Sequence, residues 1–536
     1  MMTGAMRFTN ACLVLLGLAA GSAWGLPSRQ ARQPSAPEEY PQRAAAIVEA
    51  FNHSWTGYYR HAFPHDTLRP LSNGFEDDRA AWGVTVVDAL STAIVMQNPI
   101  VVNQMLDHIA KIDFSTTARP NDEISVFETN IRYLGGLLSG YDLLKGPMIN
   151  LVADQDRVDM LLRQARSLGD TLSIAFDTPS GIPDPKIVLN PTKKISGSKR
   201  NNLAEVGTLI LEWTRLSDAS GDARYAQLAE RTQSYLLRPR GTPEPWPGLL
   251  GFTVSVDDGS FLDDIGGWSG GTDSFYEYLI KMYQYDPVAF GEYRDRWVAA
   301  ADSTMEFLAS HPTTRPELTY LAQYHGQTKI ASSSHLASFA GGNFILGGVL
   351  LNEEKYKAFG LALAESYFNN YVMEPVGIGP ETFRWVDNRL SPDGDNNRPP
   401  PQNQEAFYKQ AGFYNESPTY ILRPETVESL YYAYRLTGDR KWQDMAWAAF
   451  ERIQMACRVG SAYAELNDVT QPNSGAYFDE MQSFWMAETL KYLYLIFAPE
   501  SDVQLHLQEG GVGSSSFVYN TEAHPLRVRG LVDKAR

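Results

Sequence analysis

"LAEVGTLILEWTRLSDASGDARYAQLAERTQSYL" (residues 203–236) and "RPETVESLYYAYRLTGDRKWQDMAWAAFERI" (residues 423–453) share one layout. In each, an acidic residue near the start precedes apolar residues at i, i+3 and i+4, the spacing of one helix face. Each then reaches Arg-Leu, a Gly-Asp turn at Gly221 or Gly438, and a second helix opening near Tyr225 or Trp442. Glycine there closes one helix and the aspartate after it starts the next. The repeating unit is a helical hairpin.

Other stretches open in the same way: "SVFETNIRYLGGLLSGYDLL", "GGTDSFYEYLIKMY" and "MAETLKYLYLIF". Their acids, with those of the first pair, are Glu128, Glu205, Asp273, Glu425 and Glu488, roughly 60 to 150 residues apart, or one to two hairpins per interval. Such hairpins can stack as an open solenoid or close into a ring. Carboxylates loaded at helix starts, with an aromatic content of 12%, favour an all-α closed toroid around a polar pocket. The longest loop is expected at residues 391–407, "SPDGDNNRPPPQNQEAF".

The 536 residues are 43% hydrophobic and carry a net charge of −17. That balance supports a large core and disfavours nucleic acid or an anionic membrane as partner, since both repel a polyanion. Arg7 followed by "ACLVLLGLAAGSAWG" (residues 11–25) reads as a signal peptide, residues 1–25, and a polar linker covers 26–40. The expected location is outside the cell or in the secretory-pathway lumen, with no membrane attachment after cleavage. Cys12 falls in the signal, which leaves Cys457 alone and excludes an intramolecular disulfide. Asn52 and Asn415 begin glycosylation sequons.

A helix dipole favours an acid in the first turn by roughly 0.3–1 kcal/mol, which is the bland explanation for each of these residues. Glu425 is most open to it, because Arg423-Pro424 already announces a helix start. Glu128 is less so, lying in an apolar segment one turn before Arg132. Transition-metal spacing, a nucleophile elbow, a P-loop and a dinucleotide fingerprint do not occur. Asp393, Asp395 and Asn397 imitate a calcium loop, which fails at Arg398 and Gln404. Carboxylate chemistry remains, and glycoside hydrolysis is its commonest use on such a scaffold.

"FNHSWTGYY", "FETNIRYLGG", "GGTDSFYEYL", "HLASFAGG", "GPETFRW", "LRPETVESLYY", "DEMQSFWMAETLKYLYL" and "NTEAHP" closely resemble the class I α-1,2-mannosidases, glycoside hydrolase family 47. They run in order from about residue 46 to 526 and look most like the secreted fungal branch. The resemblance implies an (α/α)7 barrel spanning 41–528, plugged by a C-terminal β-hairpin, with a tail at 529–536. It implies a monomer that removes terminal α-1,2-mannose from high-mannose oligosaccharides or glycoproteins with inversion, using bound Ca²⁺. Glu128 would be the general acid, acting through a water, and Glu425 the general base. Asp273 is the third essential carboxylate and the rival proton donor. Arg132, Glu205, His335, Arg423, Glu428, Phe484, Glu488 and Glu522 would line the sugar pocket, with Phe484 stacked on mannose. Thr521, through hydroxyl and carbonyl, would be the direct protein ligand of Ca²⁺.

Two departures follow from the resemblance. A family disulfide would fall at Ser338 and near Ser366-Tyr367, where this chain has no cysteine. Gly271 stands where endoplasmic-reticulum members carry Arg, which implies a roomier cleft and broader trimming. The alternatives are a glycan-recognition relative in quality control, or a mannosidase of shifted linkage.

Overall fold

The computed structural model describes residues 39–391, 394–472, 476–508, 511 and 513–529. The expected signal peptide, most of the linker and all but the first residue of the tail lie outside them. The first helix begins at Glu39, so the end of the expected linker is helical instead.

Among the described residues, fourteen helices alternate between two layers. They are α1 (Glu39–His61), α2 (Leu90–Val95), α3 (Pro99–Ile109), α4 (Gly135–Leu144), α5 (Gln155–Leu172), α6 (Ile210–Ser220) and α7 (Arg224–Leu237). The second half comprises α8 (Asp273–Tyr285), α9 (Gly291–Ser303), α10 (Ala340–Leu350), α11 (Glu354–Met373), α12 (Glu425–Thr437), α13 (Arg440–Cys457) and α14 (Leu490–Phe497). Each even-numbered helix packs on the next, and α14 closes onto α2. The result is an (α/α)7 barrel.

Sequence decides the layer. Helix α10, "AGGNFILGGVL", has no charge and every residue is buried, so it suits only the inner ring. Helix α5 buries Val158, Leu161, Ala165, Leu168 and Leu172 along one stripe and gives its other faces to water, as an outer helix should. Gly221 and Gly438 end α6 and α12 with φ of 73° and 64°, the left-handed conformation expected of them. Asp439 then accepts the Lys441 N–H, and Asp222 the Arg224 N–H.

Connections at the ends of the ring form antiparallel sheets of two or three strands, each strand two to four residues long. Strand β1 (Phe517–Tyr519) pairs with β2 (Pro525–Arg527) through Tyr519 opposite Pro525. Phe517, Val518, Tyr519 and Leu526 are buried, and the hairpin packs on α8 and α4. This is the expected plug. The 391–407 loop is shorter than expected, because a helix spans Glu405–Ala411.

The two sequons differ in setting. Asn52 is partly buried and accepts a hydrogen bond from Asn98, whereas Asn415 is buried and donates to Glu374. A glycan on Asn415 would have to open that contact. At the expected disulfide position, Ser338 Oγ bonds the His335 carbonyl and the Thr426 hydroxyl. Ser366 Oγ accepts the Thr319 N–H and donates to the Ala362 carbonyl. These bonds hold each serine to its own neighbours, and the Ser333 hydroxyl bonds the Tyr367 hydroxyl at 2.7 Å between the two segments.

Candidate active site

The five acids that open helices all belong to the inner ring. Glu128 and Glu205 sit just before α4 and α6, Asp273 and Glu425 begin α8 and α12, and Glu488 precedes α14. All five line one cavity of about 290 Å³. That is at the small end for a ligand pocket and suits one sugar ring. Arg132, Gly271, Arg423, Glu428, Phe484, Thr521 and Glu522 line it too. His335 stands behind the wall.

Glu425 is buried and held ionised. Burial favours its neutral form, but the His335 N–H, 2.7 Å from Oε2, and Arg423, 3.6 Å from Oε1, hold the carboxyl below the usual range. An ionised carboxylate only accepts, so Nδ1 carries the proton toward Glu425, and in the neutral ring the other nitrogen then accepts from the Tyr371 hydroxyl at 2.7 Å. Arg423 is fixed by a two-pronged contact with Glu381 at 2.7–2.9 Å.

Asp273 is driven the other way. Burial, with the charges of Glu277 and Glu425, pushes it up to about 7, even though the Ser274 N–H donates to it at 2.8 Å. Glu128 remains anionic despite burial, because Arg132 at 2.7 Å and Arg79 at 3.7 Å hold it low. Glu205 shares a reciprocal cap with Asn202, and burial raises it. Around the floor, burial and mutual repulsion raise Glu428, Glu488 and Glu522 as well.

Phe484 lines the cavity with two arginines beside it. Its ring has Arg132 at 5.5 Å and Arg423 at 5.9 Å from the centroid. Gly271 lines the cavity against a neighbouring ring. Its φ of +88° suits glycine, and a Cβ there would lie 2.2 Å from the ring of Phe252. The space is not simply vacated cleft, because Phe252 occupies it.

Thr521 rides on the plug's turn, Asn520–His524. Asn520 Oδ1 accepts the N–H groups of Glu522 and His524, and its Nδ2 donates to Ile131 O and Glu212. Two buried lysines grip the turn's carbonyls. Lys281 reaches Asn520 O at 3.4 Å and Lys491 reaches Ala523 O at 2.7 Å. Lys491 also donates to Ser91, which bonds His524, which bonds Asp88 at 3.0 Å.

The donors fit a hard divalent cation. Thr521 offers a hydroxyl and a carbonyl that have no hydrogen-bond partner among the described residues, and the crowded floor carboxyls are short of positive charge. Among the described residues no three His, Cys, Asp or Glu side chains are grouped to chelate a metal directly. That is compatible with carboxylates acting through water.

Asp88, Glu277, Lys281, Lys491 and His524 complete the site, and none of them carries a role in the sequence reading, although Glu277, Lys491 and His524 lie inside the quoted motifs. All but His524 are charged residues set among apolar or aromatic ones. The readable signal was charge inside a helix otherwise fit for the core, as with Lys491 in "LKYLYLIF".

Residues 50–528 match the model for glycosyl hydrolase family 47. The chain is 51% identical over 516 residues to a probable mannosyl-oligosaccharide α-1,2-mannosidase 1B of Aspergillus clavatus, covering 95% of this chain and 97% of that protein. It is 48% identical over 520 residues to the mannosyl-oligosaccharide α-1,2-mannosidase 1B of Aspergillus phoenicis, covering 96% and 98%. The solved α-1,2-mannosidase from Trichoderma reesei superposes with a TM-score of 0.88 at 57% identity, over 91% of this chain and 99% of that one.

Proposed function

The chain belongs to glycosyl hydrolase family 47, and from that premise we propose that it removes terminal α-1,2-linked mannose from high-mannose N-glycans with inversion. One observation carries this reading: a cavity sized for one sugar, walled by a carboxylate kept ionised and a carboxyl raised to about 7, which holds its proton through the mildly acidic range. Those are the two states that an inverting glycosidase needs on opposite sides of the bond.

Glu425 takes a proton from the attacking water as its oxygen closes on the anomeric carbon. His335 and Arg423 orient Glu425 and keep it ionised until then. The glycosidic C–O bond breaks as the leaving oxygen receives a proton. Charge distribution supports Asp273 as its source, with Glu128 anionic and suited to orienting water. Arg132 joins Glu128 at 2.7 Å to Glu522 at 2.6 Å and so ties wall to floor. A general acid contributes roughly 10²–10⁴-fold, so positioning and charge at the floor must supply most of the rest.

Thr521 would hold Ca²⁺ directly, with Glu425, Glu488 and Glu522 acting through water. A cation there supplies charge neutralisation and a grip on sugar hydroxyls. The N-terminal apolar run supports passage through the secretory pathway, where such glycans occur.

The test is hydrolysis of α-1,2-, α-1,3- and α-1,6-linked mannobioses beside a high-mannose N-glycan. Mannose should come from the α-1,2 disaccharide and the glycan. Equal rates on all linkages, or binding without release, would overturn the proposal.

A further inference from the structure

Outside the cavity but against its wall stands Phe252, an aromatic residue 36% exposed. Single exposed apolar residues need no explanation, so its position must carry the argument. Residues 200–202 pair with 253–255, Asn202 opposite Thr253, and Asn202 lines the cavity. The Phe252 carbonyl accepts the Leu203 N–H at 2.9 Å, and the Gly271 carbonyl accepts that of the next residue, Ala204, at 2.9 Å. Asp263 holds the Phe252 N–H at 2.7 Å. Backbone bonds on both sides thus fix this residue beside the start of the segment that carries Ala204 and Glu205 into the cavity wall.

The ring's own placement is as tightly determined. A Cβ on Gly271 would meet its Cε2 at 2.2 Å and its Cζ at 2.7 Å, so the ring edge lies directly over the Gly271 backbone. Gly271 lines the cavity and Phe252 does not. The aromatic surface begins where the one-sugar pocket ends.

A pyranose presents a C–H face on which an aromatic ring can stack, burying apolar area that a polar rim could not. We propose that Phe252, seated on Gly271, is an outer platform for the sugar on the leaving-group side of the scissile bond. This rests on the mannosidase reading above. Gly271 then matters less as empty space than as the seat that lets the ring come close.

The test compares wild type with Phe252→Ala, Phe252→Leu and Phe252→Trp on a high-mannose N-glycan, with free mannose as a competitive inhibitor that needs only the pocket. Phe252→Ala should raise KM for the glycan by roughly five- to tenfold, with kcat and the mannose inhibition constant within about twofold. Phe252→Trp should restore KM and Phe252→Leu should not. An unchanged KM in Phe252→Ala, rescue by Leu equal to that by Trp, or parallel weakening of mannose would overturn the proposal. A wild-type chain that cleaves no mannoside sinks the mannosidase reading first and this one with it.

Discussion

Glu425 and Asp273 face the same cavity with opposite leanings, one toward the ionised form and one toward the protonated, and the difference is set by what each one touches. Glu425 has a histidine N–H and an arginine, whereas Asp273 has burial and two like charges. The base must be ionised and the acid protonated. Activity should therefore fall on the acid side only below the ordinary carboxylate range, and on the alkaline side through about 7, as Asp273 loses its proton. A kcat–pH profile checks this, and an alkaline limb that persists in residual Asp273→Asn activity would assign it elsewhere. Glu425→Gln should lower kcat by roughly 10²–10⁴-fold with the melting temperature nearly unchanged. Near-wild-type turnover would remove Glu425 from the base role. The acids were legible in sequence because each interrupts an apolar run at a helix start. Their protonation was not legible, since it depends on partners such as His335, distant along the chain.

At the scale of the element, the plug's turn matters most. Asn520 folds the turn on itself, while Lys281 and Lys491 hold it from two inner helices, so Thr521 is presented with little freedom. Thr521→Ala removes a hydroxyl and keeps the carbonyl. It should weaken Ca²⁺ binding by roughly tenfold, about 1.4 kcal/mol, without unfolding the protein. A calcium titration of the melting temperature after exhaustive chelation reads this directly, because a ligand of the native state alone raises it. An unchanged midpoint would leave the turn as a structural plug. "YNTEAHP" was legible as a segment out of place after "GGVGSSS". Its lysine partners were legible only as charges inside otherwise apolar helices, and which carbonyls they reach, far along the chain, was not.

In the whole molecule, seven hairpins bring acids from the full length of the chain to one end of a closed ring. The hairpin repeat was legible because helix period and Gly-Asp turns are local, and closure was expected only from where the acids fall. Crowding them has a thermodynamic signature. Asp273, Glu428, Glu488 and Glu522 are raised in the fold, so the folded state binds more protons and metal-free stability should fall as pH rises from about 5 to 8. His524, lowered to about 4 by burial, opposes this below about 6.5, and Lys491, lowered to about 7, opposes it above neutrality, but the four floor carboxyls outnumber them. Melting temperatures with chelator should drop across that window, and Ca²⁺ should flatten the curve; parallel curves would refute a cation at the floor. On the reading proposed above, this ring hydrolyses an α-1,2-mannoside by single displacement. Proton NMR of α-1,2-mannobiose during the first turnovers tests it most directly. β-Mannose should appear first and then mutarotate, whereas α-mannose at the outset, or no hydrolysis at all, would contradict the account.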